Sequence, residues 1–345
     1  MAGGEKPGNN GIGGKQDGFL EVVYAPNYKP PISVGQEIEG RMLVQDTLFG
    51  VEDKVATSID ALKTFEPPEG YYVAFSGGKD SVVVKALCDM AGVKYDAHYR
   101  VTSVDPPELV QFIKEKYPDV SRDIPHDDDG KPITMWNLIP KKKTPPTRIA
   151  RYCCSELKEA GGYGRFTVTG VRWAESVRRA KNQGLVTVYD KPGKNEELPD
   201  GIYKTEKGGV VMLNNDNDDA RRWMESCYRK RATVLNPIIN WSDEDVWEFI
   251  HHYNIPYCEL YDKGYTRLGC IGCPMNTAAA ADLAHYEKYK QAYLRAFGTM
   301  LAERERAGLH TIWESPEDVM DWWLGGREKK DKSIEGQMEI DYGQL

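Results

Sequence analysis

The sequence predicts an α/β chain: a doubly wound parallel sheet with helices on both faces, followed by a helical C-terminal region. Three observations carry this expectation. The stretch Tyr71-Tyr72-Val73-Ala74-Phe75 is an apolar run of strand length. It passes through Ser76-Gly77-Gly78-Lys79-Asp80-Ser81 into Val82, Val83, Ala86, Leu87 and Met90, which fit one side of a helix. Strand and helix patterns then alternate, as in a parallel sheet. From Ala278 to Arg304 the apolar residues repeat at helical spacing over a broad face.

In chain order, the first 18 or so residues are rich in Gly and Asn and cannot bury apolar surface. Short apolar runs at Leu20–Tyr24 and Met42–Val44 are split by Pro26, Pro30 and Pro31, so residues 1–50 are expected to form a flexible N-terminal arm. A nucleotide-binding domain is expected over 51–275. Val55, Ile59 and Leu62 predict a helix between Val51 and Phe65. Lys94–Thr102 reads as a strand with Tyr95, Ala97 and Tyr99 on one side. Pro106-Pro107 opens a helix through Tyr117 with Leu109, Val110 and Ile113 inward. Asp127-Asp128-Asp129-Gly130 reads as a solvated turn, lacking the spacing of a calcium loop. A further strand is predicted over Arg165–Val171. Residues 182–220 are turn-rich and read as a surface insertion with a hairpin, Leu185–Tyr189 against Val210–Leu213. Ser242-Asp243-Glu244-Asp245 is a capping pattern before Val246, Trp247 and Ile250. A helical extension over 276–345 ends on a helix with Trp322 and Trp323, capped at Ser315.

Composition excludes several classes. With 345 residues, 40% hydrophobic and 28% charged, the chain can bury a full core. A net charge of −8 argues against a global grip on nucleic acid. The basic segments Arg221-Arg222-Trp223 and Tyr228-Arg229-Lys230-Arg231 read as a solvated helix face rather than a nucleic-acid surface. No apolar run approaches the roughly 20 residues of a membrane span, and no signal pattern opens the chain, so a cytoplasmic protein is expected.

A strand, glycine turn and helix present backbone N–H groups and a helix N-terminus to phosphate. Gly77 and Gly78 let main chain approach an anion, Ser76 and Ser81 add hydroxyls, and Lys79 adds a cation. The spacing is neither G-x-x-x-x-G-K-[ST] nor G-x-G-x-x-G. Seven cysteines in a cytoplasmic chain suggest metal ligands or free thiols. Cys153-Cys154 sits at a predicted helix start, and Cys270-Ile271-Gly272-Cys273 is a C-x-x-C between glycines. Four thiolates suit zinc or an iron–sulfur cluster, and adjacent ligands fit a cubane more easily than mononuclear zinc. Arg151 and Lys158 would offset thiolate charge, Cys258 is a spare ligand, and Cys88 faces a helix interior.

Ser76–Ser81 resembles the SGGxDS pyrophosphate motif of the N-type ATP pyrophosphatase superfamily, whose fold is adenine nucleotide alpha hydrolase-like. Gly170-Val171-Arg172-Trp173-Ala174-Glu175-Ser176-Val177-Arg178-Arg179-Ala180 is similar to a G-x-R-x-x-E-S-x-x-R-A element of the phosphoadenosine phosphosulfate (PAPS) reductase family. Asn236–Ser242 through Asp245-Val246-Trp247, then Pro256 and Leu260-Tyr261-Asp262-Lys263-Gly264, resembles that family's substrate-side segment. Tandem cysteines with a distant C-x-x-C resemble its iron–sulfur members. The resemblance covers residues 70–275 and implies an enzyme. Ser76, Gly77, Gly78, Lys79, Asp80, Ser81, Arg172, Glu175, Arg178 and Arg179 would bind nucleotide, and Lys79, Asp80 and Arg172 would serve catalysis. Asp80 would position Mg²⁺. Cys153, Cys154, Cys270 and Cys273 would hold a [4Fe–4S] cluster, with zinc as the alternative; Arg148 and Arg151 could serve either cluster or ligand.

Sulfonucleotide reductases form a thiosulfonate on a cysteine in a C-terminal Glu-Cys-Gly-Leu-His segment; this chain ends Glu339-Ile340-Asp341-Tyr342-Gly343-Gln344-Leu345. Reductases also tend to carry degenerate glycine turns, whereas Ser-Gly-Gly-Lys-Asp-Ser is intact here. Both features favour ATP over PAPS, with attack at the α-phosphate and pyrophosphate release coupled to sulfur transfer. A reductase releasing sulfite and a non-catalytic nucleotide sensor or assembly protein are the alternatives. Expected partners are an adenine nucleotide, a sulfur-donor protein, and further copies of the chain or members of a multi-protein system.

Overall fold

The computed structural model describes residues 43–47, 50–193, 196–227 and 232–325. Almost all of the expected N-terminal arm, the 228–231 basic run and the last 20 residues lie outside that set. In chain order the elements are β1 (Val44–Thr47), β2 (Gly50–Asp53), α1 (Lys54–Thr64), β3 (Tyr71–Ala74), α2 (Lys79–Ala91), β4 (Tyr95–Arg100), α3 (Pro107–Lys116), β5 (Ser121–Asp123), α4 (Met135–Lys142) and α5 (Tyr152–Cys154). A π-helical turn follows at Ser155–Glu159. Next come β6 (Thr167–Val168), a 3₁₀ turn (Trp173–Glu175), α6 (Val177–Asn182), β7 (Val186–Val188), β8 (Ile202–Lys204), β9 (Val210–Met212), α7 (Asp218–Cys227) and β10 (Thr233–Leu235). The chain closes with α8 (Asp243–His252), α9 (Ala279–His285), α10 (Glu287–Arg306) and α11 (Pro316–Trp323).

The main sheet runs β5-β4-β3-β6-β10-β7-β9-β8. From β5 to β10 every pairing is parallel, and β7, β9 and β8 add antiparallel pairs. Parallel strands need long crossovers, and helices supply them. The central strands read as unbroken apolar runs for that reason: Tyr71, Tyr72 and Val73 are all buried. The turns after β3, β4, β6 and β10 therefore share one edge of the sheet, the edge where ligands sit in open α/β folds.

Several expectations shift by a few residues. The first helix starts at Lys54, capped by the Asp53 carboxylate, because Val51 is taken into β2. The strand expected over Arg165–Val171 is two residues long. In α3, Val110 turns outward and Phe112 takes the inward place beside Leu109 and Ile113. The hairpin predicted within 182–220 pairs as expected, Val186 with Met212, but it is no surface insertion. Val186, Val188, Val210 and Met212 are buried as part of the main sheet. The C-terminal helix breaks at Tyr286 into α9 and α10. Its aromatic face is core: Tyr293, Phe297 and Met300 join Leu138, Ile139, Leu157, Ile271 and Val319 in a second hydrophobic cluster. That cluster draws on α4 and on both cysteine segments as well as on the C-terminal helices. Within it the Ile271 N–H donates to the Val104 carbonyl (2.8 Å), tying the cysteine loop to the loop after β4.

Near the sheet edge, His98 on β4 lies between two carboxylates, Asp96 and Asp123 on β5 (2.8 Å from Nδ1), and stacks on Tyr72. The hydrogen bond to Asp96 first, and Asp123 next, hold its imidazole above the ordinary histidine range against the opposing effect of burial. Because the folded value is raised, the stabilisation is complete below roughly pH 6.5 and is lost as pH rises through the folded value. His98→Asn is expected to flatten the fall in thermal midpoint over that rise, which melting at a series of pH values checks.

Candidate active site

The glycine turn sits where β3 meets α2. Gly77 has φ +74°, and a Cβ there would lie 2.7 Å from Ile113 Cδ1 and 2.8 Å from Leu109 Cδ1, so glycine is required twice over. Gly78 is the N-cap of α2, a helix of 13 residues. The turn is braced internally: Ser81 Oγ donates to the Gly78 carbonyl (2.9 Å), and the Gly78 N–H reaches Ser76 Oγ (3.4 Å).

Gly170, after β6, brings the second element in. A Cβ on it would stand 2.9 Å from the backbone of Asp80, so only glycine allows this approach. Two residues on, Arg172 is almost fully buried. Its Nε donates to Asp80 Oδ1 (2.7 Å), Nη1 to the Trp241 carbonyl (3.2 Å) and Nη2 to Asp243 Oδ1 (2.5 Å). Lys79, also buried, places Nζ 3.3 Å from Asp80 and 3.0 Å from Asp243. Lys79, Asp80, Arg172 and Asp243 thus form one cluster of two cations and two carboxylates at the carboxyl edge of the sheet. Burial works against the charge on Asp243, but hydrogen bonds from Lys79 and Arg172 hold its carboxyl below the usual range.

Glu175 receives the Arg172 backbone N–H (3.2 Å) and pairs with Arg179. Arg179 faces Arg267 and Asp80, and burial together with the like charge of Arg267 lowers its affinity for a proton. Arg178 is exposed on α6. The expected set therefore divides: Ser76 to Ser81 with Arg172 converge, Glu175 and Arg179 form an adjoining pair, and Arg178 stays outside. Three neighbours were missed in the sequence. Asp243 lies there inside the substrate-side resemblance and the capping pattern but is given no role of its own; the capping box is formed by Ser242 and Asp245. Tyr261 hides in Leu260-Tyr261-Asp262-Lys263-Gly264, yet its hydroxyl accepts the Lys79 backbone N–H (2.9 Å) and its ring packs edge-on to Trp247. Arg267 carries no local motif.

The cysteines gather on the second cluster. Cys153 lies within electrostatic reach of Cys154, Cys270 and Cys273. Its hydrogen bond to Cys154, and then the Arg151 guanidinium (3.4 Å from Cys154 Sγ), pull the Cys154 thiol down to about 5. Burial pushes Cys270 up to about 11, opposed by Lys158. Lys158 is an exposed residue whose ammonium lies within reach of Cys270; burial works against its charge, but Cys270 and Asp105 raise its pKa. Asp105 accepts from Tyr99 (2.6 Å). Arg148 donates to the Pro274 carbonyl (3.0 Å), so both Arg148 and Arg151 serve the cysteine side. Cys258 is buried in the main core, away from this group, and Cys88 is likewise packed. Among the described residues, no three His, Cys, Asp or Glu side chains are disposed as a ready ligand set. The donor chemistry, four thiols with two cations against them, suits a soft metal or a cluster. At the glycine turn, Asp80 is engaged by Arg172 and Lys79. The basic pair on α7 is matched by acids, Arg221 to Asp218 (2.7 Å) and Arg222 to Asp219 (3.4 Å). No helix among the described residues is long and apolar enough to cross a membrane.

The fold and this edge define an α/β protein with a phosphate-type glycine turn beside a buried Lys–Arg pair. Residues 70–276 match the phosphoadenosine phosphosulfate reductase domain, and the chain belongs to that family. An adenosine 5′-phosphosulfate reductase of Allochromatium vinosum is 25% identical over 51% of this chain and 56% of its own length. A protein of Schizosaccharomyces pombe described as a probable FAD synthase is 36% identical over 76% of this chain and 81% of its own. The crystal structure of the Candida auris PAPS reductase has a TM-score of 0.37 at 16% identity, covering 62% of this chain and 88% of that one. The chain spans about half the length of the first curated relatives it matches, 47% and 56% for two of them.

Proposed function

We propose that this chain is an adenylating enzyme of the ATP pyrophosphatase type. It takes an adenine nucleotide at Ser76–Ser81 and directs an acceptor onto the α-phosphate, with pyrophosphate leaving. The observation that carries the reading is the pairing of the Gly77–Gly78 turn at the start of α2 with buried Lys79 and Arg172. Main-chain N–H groups and two cations facing one point stabilise charge growing on a leaving pyrophosphate. The acceptor's oxygen or other nucleophilic atom forms the new bond to phosphorus, the α–β bridge bond breaks, and the acceptor's proton passes to solvent. Asp80 would accept Mg²⁺ arriving with the nucleotide once Lys79 or Arg172 turns to phosphate. The likeness to the S. pombe protein supports adenylyl transfer.

Cys153, Cys154, Cys270 and Cys273 would hold a [4Fe–4S] cluster, or zinc; a cluster would supply electron or sulfur chemistry next to the nucleotide edge. Arg151 and Lys158 offset the thiolate charge. A second reading, sulfite release from a sulfonucleotide, is supported by these cysteines and by the A. vinosum relative. Anaerobic purification followed by a panel of ATP, PAPS and adenosine phosphosulfate, with pyrophosphate and sulfite both measured, separates the two. Pyrophosphate from ATP is expected; sulfite alone selects the second reading, and neither product leaves only a binding role. Iron, sulfide and zinc content of Cys153→Ser and Cys270→Ser is expected to fall to background, and metal content equal to the parent chain would dismiss the four-thiol centre.

A further inference from the structure

We infer that Asp243, helped by Tyr261, is a built-in counter-anion that takes the place of a phosphate against Lys79 and Arg172 and must release both when a nucleotide enters. The inference rests on the nucleotide reading above. The two cations have side chains only 8% and 2% exposed, whereas the Asp243 side chain that bridges them is 62% exposed. A single carboxylate oxygen, Oδ1, takes both Lys79 Nζ at 3.0 Å and Arg172 Nη2 at 2.5 Å. The cations thus face solvent through this carboxylate, and an anion arriving from outside meets Asp243 before it meets them. The Tyr261 hydroxyl does the same for the backbone: it accepts the Lys79 N–H at the start of α2, one of the donors a phosphate oxygen would take.

Two donors of Lys79 and one of Arg172 are therefore satisfied by two oxygens from one stretch, residues 243–261. Asp243 is the first residue of α8, whose cap is Ser242, so its side chain can rotate away without unwinding the helix. Asp80 stays with Arg172 through Nε, so release of Asp243 alone converts a neutral set of four charges into one with a surplus positive charge. An ion that offers two or more oxygens at once, such as a pyrophosphate group, can replace Asp243 and Tyr261 together, whereas a singly charged oxyanion gains less by the exchange.

The test is calorimetric titration of the full chain with inorganic pyrophosphate, with and without Mg²⁺, comparing the parent with Asp243→Asn, Asp243→Ser and Tyr261→Phe. Melting curves confirm that each variant folds; two substitutions at 243 guard against one that does not. Removing the competing charge is expected to tighten metal-free binding about tenfold or more for both 243 variants, and removing the hydroxyl a few-fold. Equal or weaker metal-free binding by both 243 variants overturns the inference while leaving the nucleotide reading intact. Loss of binding only in Mg²⁺ makes Asp243 a metal ligand and overturns it too. Absence of pyrophosphate and ATP binding in parent and variants alike overturns the nucleotide reading and this inference with it.

Discussion

Arg172→Met is expected to lower stability by about 3 kcal/mol and to weaken pyrophosphate binding at least about thirtyfold. Arg172 is 1% exposed and ties three segments, α2 through Asp80, the turn before α8 through the Trp241 carbonyl, and α8 through Asp243. Removing one partner of a buried charge set strands the others, which is where the larger values arise. The estimate sits at the low end because Asp80 and Asp243 keep 23% and 62% of their side chains in contact with solvent and can rehydrate. Urea unfolding and titration with pyrophosphate give the two numbers. A stability change within 0.5 kcal/mol, the range of ordinary surface substitutions, would show that the network is not what joins these segments.

Gly170→Ala is expected to damage function more than folding. The added methyl would lie 2.9 Å from the carbonyl carbon, the carbonyl oxygen and the Cβ of Asp80, so either the turn after β6 or the first turn of α2 must move. Overpacking of this kind costs about 1–3 kcal/mol. A displacement approaching 1 Å at reacting groups can cost on the order of a hundredfold in rate. The expected outcome is a folded protein with nucleotide turnover reduced by about that factor. Gly269→Ala is the control: a Cβ there meets nothing within 4 Å and the backbone is not in the left-handed region, so stability and turnover should match the parent. Equal turnover in both variants would mean that Gly170 does not set the position of Asp80.

Which parts of this arrangement could be read from the chain follows from how local each constraint is. The strand, the glycine pair and the helix of residues 71–91 are contiguous, and their periodicity is visible in any window that spans them. Gly170 and Arg172 were legible through a second short motif. Asp243 and Tyr261 fell inside the substrate-side resemblance without a role of their own, because nothing in either local pattern points to Lys79; packing of α8 against α2 brings Asp243 there, and Tyr261 comes from the loop beyond α8. The edge of the sheet shows the same limit. Val186–Val188 and Val210–Met212 are short and divided by polar turns, so their patterns resemble an excursion; burial on the sheet is a tertiary fact that no two-residue spacing announces. Cys258 illustrates the converse, since residue type suggested a ligand while the surrounding Leu260, Ile255 and Phe249 make it core. At the split in the C-terminal helix, the Tyr286 hydroxyl donates to Glu108 (3.0 Å) at the start of α3, a contact that no local pattern announces.

The hydrogen bond from the Ile271 amide to the Val104 carbonyl joins the cysteine loop to the loop after β4, and the Tyr293 hydroxyl donates to the Ile271 carbonyl (3.0 Å). Ile271 is thereby held through both its amide and its carbonyl inside the second hydrophobic cluster, to which Val104 and Tyr293 also belong. Its amide proton can be traded for deuterium only when the cysteine loop parts from the loop after β4, so the rate of that trade reports the free energy of opening at that contact. An amide in the middle of β3 reports opening of the sheet, and the difference between the two would measure how firmly the sulfur-bearing loop is held relative to that sheet.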